Sequence, residues 1–434
     1  MKMKPAESIA GQIGVPPNIQ RAIICYGFDH SPYDHPKGRS DETGAQILTR
    51  TLQNELLKSY FPIVVTSSDT SRWLEENLHK GAFINKEGLR YGRIASHADY
   101  ISNPFVPLAI LYQAERIAQR YKFYRNMPSQ KLRMAMLQKV CWWSQLIEDL
   151  PRQSIYLNAN APHTLDDYIA FQLFKTREMR TFCIYRLPLF QGLSSRLMIF
   201  TDPFNQKNPI PANGRASEES SGNATTAGLN QVLEFIREGG KSAIACNAPK
   251  LRGRKIRTAI KMARIAPRKV QKQLKKKLDR NILGNAAKII YYKHAASKTL
   301  PQKGFIYYPL HMQPEASSMP LAGIYADQQV VVEAISNALP RGLKLVVKEH
   351  PLQFTTSDKL SFRSVAFYSS LKSLDNVVLA HHKEPAAPLI RNCLAAVTLT
   401  GTTALEALAY RRYCFVLGSS VLAKSPRPRA GESS

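Results

Sequence analysis

Polar residues that could bind an anion or move a proton follow three apolar segments in the last third of this 434-residue chain. The segments and the residues that follow them are FIYYPL with His311, Gln313 and Glu315, LVV with Lys348, Glu349, His350 and Pro351, and AAVTL with Thr400, Gly401, Thr402 and Thr403. A lysine and a glycine-containing turn can hold phosphate, and an imidazole or a carboxylate can carry a proton. If these segments are neighbouring strands, their ends form one binding site.

The turn from Thr400 to Thr403 leads into TALEALAY, an Ala- and Leu-rich segment typical of a helix. The free N–H groups and the dipole at a helix start favour an anion. Thr403-x-x-Glu406 has the spacing of a capping box, in which both side chains bond the first backbone N–H groups. Glu406 could also hold a ligand, because it would lie beside the other strand ends. The two roles do not exclude each other.

Each of these residues also has a plain structural interpretation. A His-Pro pair after a strand is common in turns, and Pro351 would stop the strand from continuing. Lys348 could be an exposed charge at a strand end, and Glu315 could cap the next segment. Only their coincidence at one predicted sheet edge favours a binding site.

The elements that position these residues alternate between strand and helix. Apolar runs predict strands in residues 1–205, such as RAIICYGF, FPIVVTSS and TFCIYRL, and TLDDYIAFQLFKTREM predicts a helix. Residues 301–418 alternate in the same way and form a second unit. This alternation predicts α/β units with parallel sheets. Open α/β sheets bind ligands at the carboxyl ends of their strands.

Residues 206–300 differ in composition from both units. The stretch 205–228 is rich in Asn, Pro, Gly and Ser and predicts a linker. Residues 251–280 carry thirteen Lys and Arg against one Asp, with apolar residues at i, i+4 spacing. A basic amphipathic helix of this kind binds anionic lipid. The alternative is a solvated helical arm, and nucleic acid is a weaker third because no aromatic residues are interleaved with the charges.

The composition narrows the class of protein. A formal net charge of +28 indicates a polyanionic partner, such as a lipid surface or a phosphorylated substrate. Six scattered cysteines without a C-x-x-C pair argue against structural zinc and disulfides and suit the cytoplasm. No apolar run approaches the roughly 20 residues of a spanning helix, and the first residues lack a signal-peptide core. We therefore expect a cytoplasmic protein, held peripherally at the inner membrane.

Three segments, YYPLHMQPEASSMPLAGIYADQ, LPRGLKLVVKEHP and TLTGTTALEALAYRRYCFVLG, resemble the bacterial capsule polysaccharide biosynthesis and export family. The resemblance covers residues 303–418, and NAPHTLDDY at 160–168 is more weakly similar. The best understood members are glycosyltransferases with two Rossmann-like domains, the GT-B arrangement, that use CMP-activated Kdo. The resemblance thus implies a transferase that takes a nucleotide sugar and a lipid-linked or glycan acceptor.

The resemblance also implies roles for the matched residues. His350 and Pro351 would lie at the nucleotide phosphate, the turn at Thr400 at a phosphate or the sugar, and Glu406 near the ribose. The implied donor-binding set is Gln313, Glu315, Lys348, His350, Pro351, Thr400, Gly401, Thr402, Thr403 and Glu406. A CMP-sugar leaves with a single phosphate, whose charge a histidine and helix N–H groups can stabilise. No metal or other cofactor is expected.

The general base that deprotonates the acceptor should come from the first unit. We assign it to His163, supported by Asp166 or Asp167. A second candidate for the base is the polar group Asp29, His30, Asp34 and His35 after the first strand. It has enough ligands for a metal, but a polar loop accounts for it better because no metal-site spacing recurs.

The chain continues after the strand YCFVLG with a Pro-, Arg- and Ser-rich stretch, residues 419–434. In two-domain transferases a crossing helix is expected there, so we predict a truncated C-terminal domain with a disordered tail. Two alternative functions remain open. One is a non-catalytic component that binds the capsule assembly or export machinery, and the other is a sugar-nucleotide epimerase of similar fold.

Overall fold

The computed structural model describes residues 8–28, 44–78, 80–85, 108–186, 197–204, 230, 232–238, 285, 287–354 and 361–419. The chain forms two compact units, Met1–Leu187 with Ser195–Ala216, and Pro188–Ser194 with Ser217–Ser434. Three predicted features lie outside the described residues: the polar group at residues 29–35, the basic segment 251–280 and the tail after Ser419. No helix in the described ranges has both the length and the apolar character needed to cross a membrane.

The N-terminal unit contains a six-stranded sheet in the order β3-β2-β1-β4-β5-β6. The strands are β1 Ala22–Tyr26, β2 Phe61–Thr66, β3 Ala82–Asn85, β4 Ile155–Asn158, β5 Arg180–Arg186 and β6 Leu197–Phe200. Neighbours are parallel except for β5 and β6, which are antiparallel. The helices are α1 Ile9–Gln12, α2 Gly44–Leu52, α3 Ser68–Asn77, α4 Leu108–Ala118, α5 Lys122–Arg125, α6 Ser129–Glu148 and α7 Leu165–Thr176.

Strand β1 is central to this unit because both of its faces are buried. Ile24 packs into the core shared with α4, α6 and α7. Its neighbours Ile23 and Cys25 pack into the core on the opposite face, with α2 and α3. Side chains alternate across a strand, so a continuous apolar run is what a parallel strand covered on both faces requires.

The C-terminal unit contains a five-stranded, wholly parallel sheet in the order β11-β10-β7-β8-β9. Its strands are β7 Phe305–Pro309, β8 Leu345–Lys348, β9 Val377–Ala380, β10 Cys393–Thr398 and β11 Tyr413–Val416. The helices are α8 Gln328–Ala338, α9 Val365–Lys372, α10 Ala386–Asn392 and α11 Thr403–Ala409, with 3₁₀ turns at Gly323–Ala326 and Pro351–Phe354. The helical residues 287–295 also belong to this unit, since Tyr292 and Ala295 are buried in its cores.

Both sheets have the same doubly wound order. The first strand of each unit, β1 or β7, lies between its second strand and its fourth, so the chain changes direction there. In open α/β sheets, ligands bind outside the carboxyl ends of the two strands at such a switch point. The predicted α/β fold with two Rossmann-like sheets is confirmed.

Candidate functional site

The switch point of the C-terminal sheet brings His311, after β7, against the turn that follows β10. Nε2 of His311 lies 3.3 Å from the backbone nitrogen of Thr400 and 3.4 Å from Oγ1 of Thr398. Because Nε2 accepts the Thr400 N–H, the ring proton is on Nδ1. Burial, with further contributions from His350 and Arg363, lowers the pKa of His311 to about 3, although the Pro309 carbonyl acts in the opposite direction. The imidazole is therefore neutral at physiological pH.

Gly401 allows the turn to approach this ring closely. A Cβ at position 401 would lie 3.0 Å from Nε2 of His311 and 3.1 Å from Oγ1 of Thr398. These separations are shorter than an ordinary carbon contact, so a larger residue would displace the turn. The predicted turn thus includes Gly401 for a steric reason.

A buried ion pair between Arg363 and Glu349 connects the ends of β7 and β8. Both side chains are fully buried, and Nε of Arg363 lies 2.7 Å from Oε2 of Glu349. Arg363 also donates to the side-chain oxygen of Gln313 and, over 2.9 Å, to the His311 carbonyl. The Tyr368 hydroxyl donates to the same carboxylate over 2.8 Å. Arg363 is not among the predicted residues, because no spacing rule singles out a lone arginine in a loop.

Two glutamine side chains hold the loop after β7, because each one bonds both the N–H and the carbonyl of a loop residue. Gln353 accepts the Gln313 N–H and donates to its carbonyl, both over 2.8 Å. Gln328 makes the same two bonds with His311, over 2.6 and 3.0 Å. The Gln313 side chain also donates to the Ala326 carbonyl over 2.8 Å. The contacts of the Gln313 side chain with the described residues thus hold the loop after β7 in position.

Lys348, which is buried, and Glu406, which is half-buried, lie at the same edge. Lys348 is 7% exposed, and among the described residues nothing lies within hydrogen-bond or ion-pair distance of its ammonium. Burial lowers the pKa of Lys348, while Glu406, Glu349 and Glu384 raise it at longer range. Burial raises the pKa of Glu406, opposed by the Thr402 hydrogen bond and by Lys348. An anion or a hydroxyl-rich ligand would supply the contacts that these side chains lack.

The His-Pro pair forms a tight turn at the end of β8. Nδ1 of His350 accepts the Leu352 N–H over 3.2 Å, and the His350 N–H donates to the Glu349 carboxylate over 2.7 Å. Pro351 is exposed and begins a 3₁₀ turn. The predicted turn is therefore present, and the imidazole of His350 within it is half-buried.

The predicted capping box is wrong by one residue. Helix α11 begins at Thr403, but the N-cap is Thr402, whose backbone is already helical and whose side chain makes no cap bond. Glu406 is then four residues from the cap, and its carboxylate accepts the Thr402 hydroxyl over 3.2 Å. Helical neighbours at i, i+4 face each other, which explains why the two side chains bond each other instead of the backbone.

Two further predicted residues, Thr400 in the turn after β10 and Glu315 in the loop after β7, bond to Ser317. The Thr400 hydroxyl donates to the Ser317 carbonyl over 2.9 Å. The Glu315 carboxylate accepts the Ser317 hydroxyl over 2.7 Å. The loop after β7 and the turn after β10 are therefore joined by side-chain bonds.

The predicted acceptor-side residues follow β4 at the switch point of the N-terminal sheet. Nδ1 of His163 lies 2.8 Å from the Ala161 carbonyl, so in the neutral ring Nδ1 carries the proton and Nε2 a free lone pair. Asp166 instead pairs with the buried Lys139, 3.1 Å from each oxygen, and accepts from the Trp143 indole. Burial raises the pKa of Asp167, and His163 lowers it. The structure thus leaves His163 with a basic nitrogen and gives Asp166 the role of a counterion.

The candidate metal ligands Asp29, His30, Asp34 and His35 lie outside the described residues. Within the described ranges, no group of three or more His, Cys, Asp or Glu side chains could hold a metal ion.

Part of the C-terminal unit matches a known protein family. The family model described as capsule polysaccharide biosynthesis protein matches residues 319–424, which run from before α8 to beyond β11. Over this stretch the chain is similar to the capsule polysaccharide biosynthesis family. The predicted family resemblance is confirmed, and the matched range includes Lys348, His350 and Glu406 of the candidate site. No curated protein sequence matches the chain.

Solved structures show more distant likenesses. Two come from Thermosulfurimonas dismutans KpsC. Its beta Kdo 2,7 transferase is 12% identical, with coverage of 73% of this chain and 81% of that one and a TM-score of 0.28. Its beta Kdo 2,4 transferase is 11% identical, with coverage of 63% and 71% and a TM-score of 0.32. UDP-GlcNAc 2-epimerase from Neisseria meningitidis, bound to UDP-GlcNAc, is 11% identical, with coverage of 92% and 82% and a TM-score of 0.20.

Proposed function

We propose that the protein is a glycosyltransferase of capsule or related surface-polysaccharide synthesis. It would transfer a Kdo-like sugar from a CMP-sugar to a lipid-linked or glycan acceptor. One observation supports this most directly. The capsule biosynthesis match covers the strand ends where Lys348, His350 and Glu406 gather beside a sheet switch point.

On the donor side, Lys348 and His350 would bind the phosphate of the CMP-sugar. Lys348 suits this role because its buried ammonium contacts no carboxylate among the described residues. A fixed cation at the departing phosphate stabilises the charge that develops as the glycosidic bond breaks. Glu406 would accept hydrogen bonds from ribose hydroxyls. His311, neutral and buried, would hold the turn at Thr400 in place.

On the acceptor side, His163 would take the proton from the attacking hydroxyl. Its Nδ1–H is directed to the Ala161 carbonyl, so the lone pair of Nε2 is the one available to a substrate. Histidine is the side chain that most often acts as a general acid or base in catalysis. The basic residues 251–280 would hold the enzyme at the anionic inner leaflet, where a lipid-linked acceptor is presented.

Thermal unfolding with a panel of nucleotides tests this function. CMP and CMP-Kdo should raise the melting temperature by roughly 5 °C at about a hundred times Kd. Lys348→Met and His350→Ala should abolish this shift, because each removes a contact to the phosphate. Lys344→Met, at an exposed lysine of the same strand region, is the matched control and should keep it.

The same panel separates the alternatives. A shift with UDP and UDP-GlcNAc but not with CMP would favour a sugar-nucleotide epimerase. The absence of any nucleotide shift would contradict the transferase and favour a non-catalytic component of capsule assembly or export.

A further inference from the structure

Helices α4 and α5 of the N-terminal unit carry large apolar side chains on the outside of the protein. Leu108 is 83% exposed, Tyr112 57% and Phe123 73%. Leu108 and Tyr112 are four residues apart on α4, and Arg116 follows at the same spacing, so these three share one stripe of the helix. We call Leu108, Tyr112, Arg116 and Phe123 the α4–α5 face. Apolar residues grouped outside a protein in this way mark an interaction site.

The charge around the α4–α5 face is positive. Residues 108–133 contain six cations, Arg116, Arg120, Lys122, Arg125, Lys131 and Arg133, and Glu115 as the single acid. That acid pairs with Arg133 over 2.8 Å. The Arg116 guanidinium stacks on the Tyr112 ring, 5.6 Å from its centroid. In this stretch of sequence, which carries the exposed aromatic and aliphatic side chains, cations therefore outnumber acids by five.

Hydrogen bonds tie α5 to the two residues that follow α4. Nε of Arg125, on α5, donates to the Gln119 carbonyl over 3.0 Å, and its NH2 donates to the Arg120 carbonyl over 3.2 Å. The Tyr124 ring packs edge-on against Phe123, with centroids 5.1 Å apart. Phe123 is therefore exposed next to the residues that follow α4, with one side of its ring against Tyr124.

We propose that the α4–α5 face binds an anionic lipid bilayer. Exposed Leu, Tyr and Phe enter the boundary between headgroups and acyl chains, and arginines at their edge pair with lipid phosphates. A protein partner would also accept apolar side chains, but an excess of five positive charges within 26 residues is complementary to a continuous anionic surface. This surface is distinct from residues 251–280, and its binding requires no transferase activity.

The α4–α5 face lies close to the loop that carries His163. Arg120, just after α4, donates to the His163 carbonyl. A bilayer that touches Phe123 would therefore lie beside the loop of the candidate base in the same unit. An acceptor with its lipid anchor in that bilayer would present its hydroxyl to His163 without leaving the membrane.

Sedimentation of the full-length protein with vesicles tests the proposal. Vesicles of phosphatidylethanolamine and phosphatidylglycerol should bind the protein, and vesicles of phosphatidylcholine should bind it much less. Leu108→Ser with Phe123→Ser should weaken binding by about tenfold or more. Arg116→Gln should weaken it by about fivefold. Leu56→Ser is the matched control, because Leu56 is 81% exposed and lies on neither helix.

The measurement is repeated with Lys275, Lys276 and Lys277 replaced by Gln, to separate the two basic regions. Binding that survives these changes and is lost with Leu108→Ser and Phe123→Ser supports the proposal. The proposal is overturned if the protein with Leu108→Ser and Phe123→Ser binds vesicles as well as the Leu56→Ser control does. It is also overturned if the protein does not bind vesicles, or binds phosphatidylcholine vesicles equally well. Nucleotide-induced thermal shifts should be unchanged in the serine variants, so a failure here does not bear on the transferase proposal.

A fluorescent probe gives an independent readout. Phe123→Trp should show emission that brominated lipids quench, in excess of the parent protein. Leu56→Trp should show no such excess. Equal quenching at the two positions would contradict insertion of the α4–α5 face.

Discussion

The neutral, buried His311 predicts a specific loss of stability in acid. Its pKa is lowered to about 3 in the folded protein, against an ordinary value of 6.5. Between these values the unfolded chain binds a proton that the folded chain does not. The stabilising contribution is therefore complete above pH 6.5 and is lost as the pH falls towards 3.

The size of the effect follows from the two pKa values. When the pH falls from 7 to 5, the free energy of unfolding decreases by about 2 kcal/mol, because His311 takes up a proton in the unfolded chain and stays neutral in the folded one. His311→Gln removes this titration while its side-chain oxygen can still accept the Thr400 N–H. We therefore expect the wild-type protein to lose about 2 kcal/mol more than the variant over this pH range.

Urea unfolding at pH 7 and pH 5 measures this difference. The tryptophans Trp73, Trp142 and Trp143 all lie in the N-terminal unit, so their fluorescence follows that unit alone. Circular dichroism follows both units, and the transition seen only by this signal belongs to the C-terminal unit. The exposed His294 provides the control, since His294→Gln should keep the wild-type pH dependence. Equal pH dependence in the wild type and His311→Gln would refute the reasoning.

Two further predictions concern the surroundings of His311. Arg363→Met should lower the free energy of unfolding by about 3–5 kcal/mol, because Glu349 would keep an unpaired buried charge. Arg363→Met combined with Glu349→Gln should cost less than the two single changes added, and strict additivity in urea unfolding would contradict a direct ion pair. Gly401→Ala should cost about 1–3 kcal/mol, since the added methyl group meets the imidazole. The same change in a His311→Ala background should cost clearly less in urea unfolding, and an equal cost would contradict the steric argument.

Most strands of both sheets could be predicted from sequence because each is a short apolar run between polar turns, but β3 and β6 were not predicted. Parallel strands covered on both faces leave this signal, and Ala22–Tyr26 and Leu345–Lys348 show it clearly. The strand-end residues could be predicted for the same reason, since the carboxyl ends of parallel strands lie at one edge. His350 and Glu406 were found through this rule.

The network behind these residues could not be predicted. Arg363 reaches Glu349 and the His311 carbonyl across 14 and 52 residues of sequence, and no local pattern records such a distance. The capping box failed for a related reason. The spacing Thr403-x-x-Glu406 predicted a cap at Thr403, whereas the helix is capped at Thr402, in a turn that contacts His311 and Ser317. Such contacts between distant parts of the chain are absent from the local spacing.

The contacts of Tyr292 determine where a recombinant fragment of the C-terminal unit should begin. Its hydroxyl accepts the Glu349 N–H over 2.9 Å and donates to the Ala380 carbonyl, so it joins the ends of β8 and β9. Its ring also packs against Tyr368, with centroids 4.8 Å apart. A recombinant fragment that begins at residue 301, where the strand pattern starts, would lack this tyrosine and leave the Glu349 N–H without its bond. Expression of the C-terminal unit alone should therefore begin ahead of residue 287.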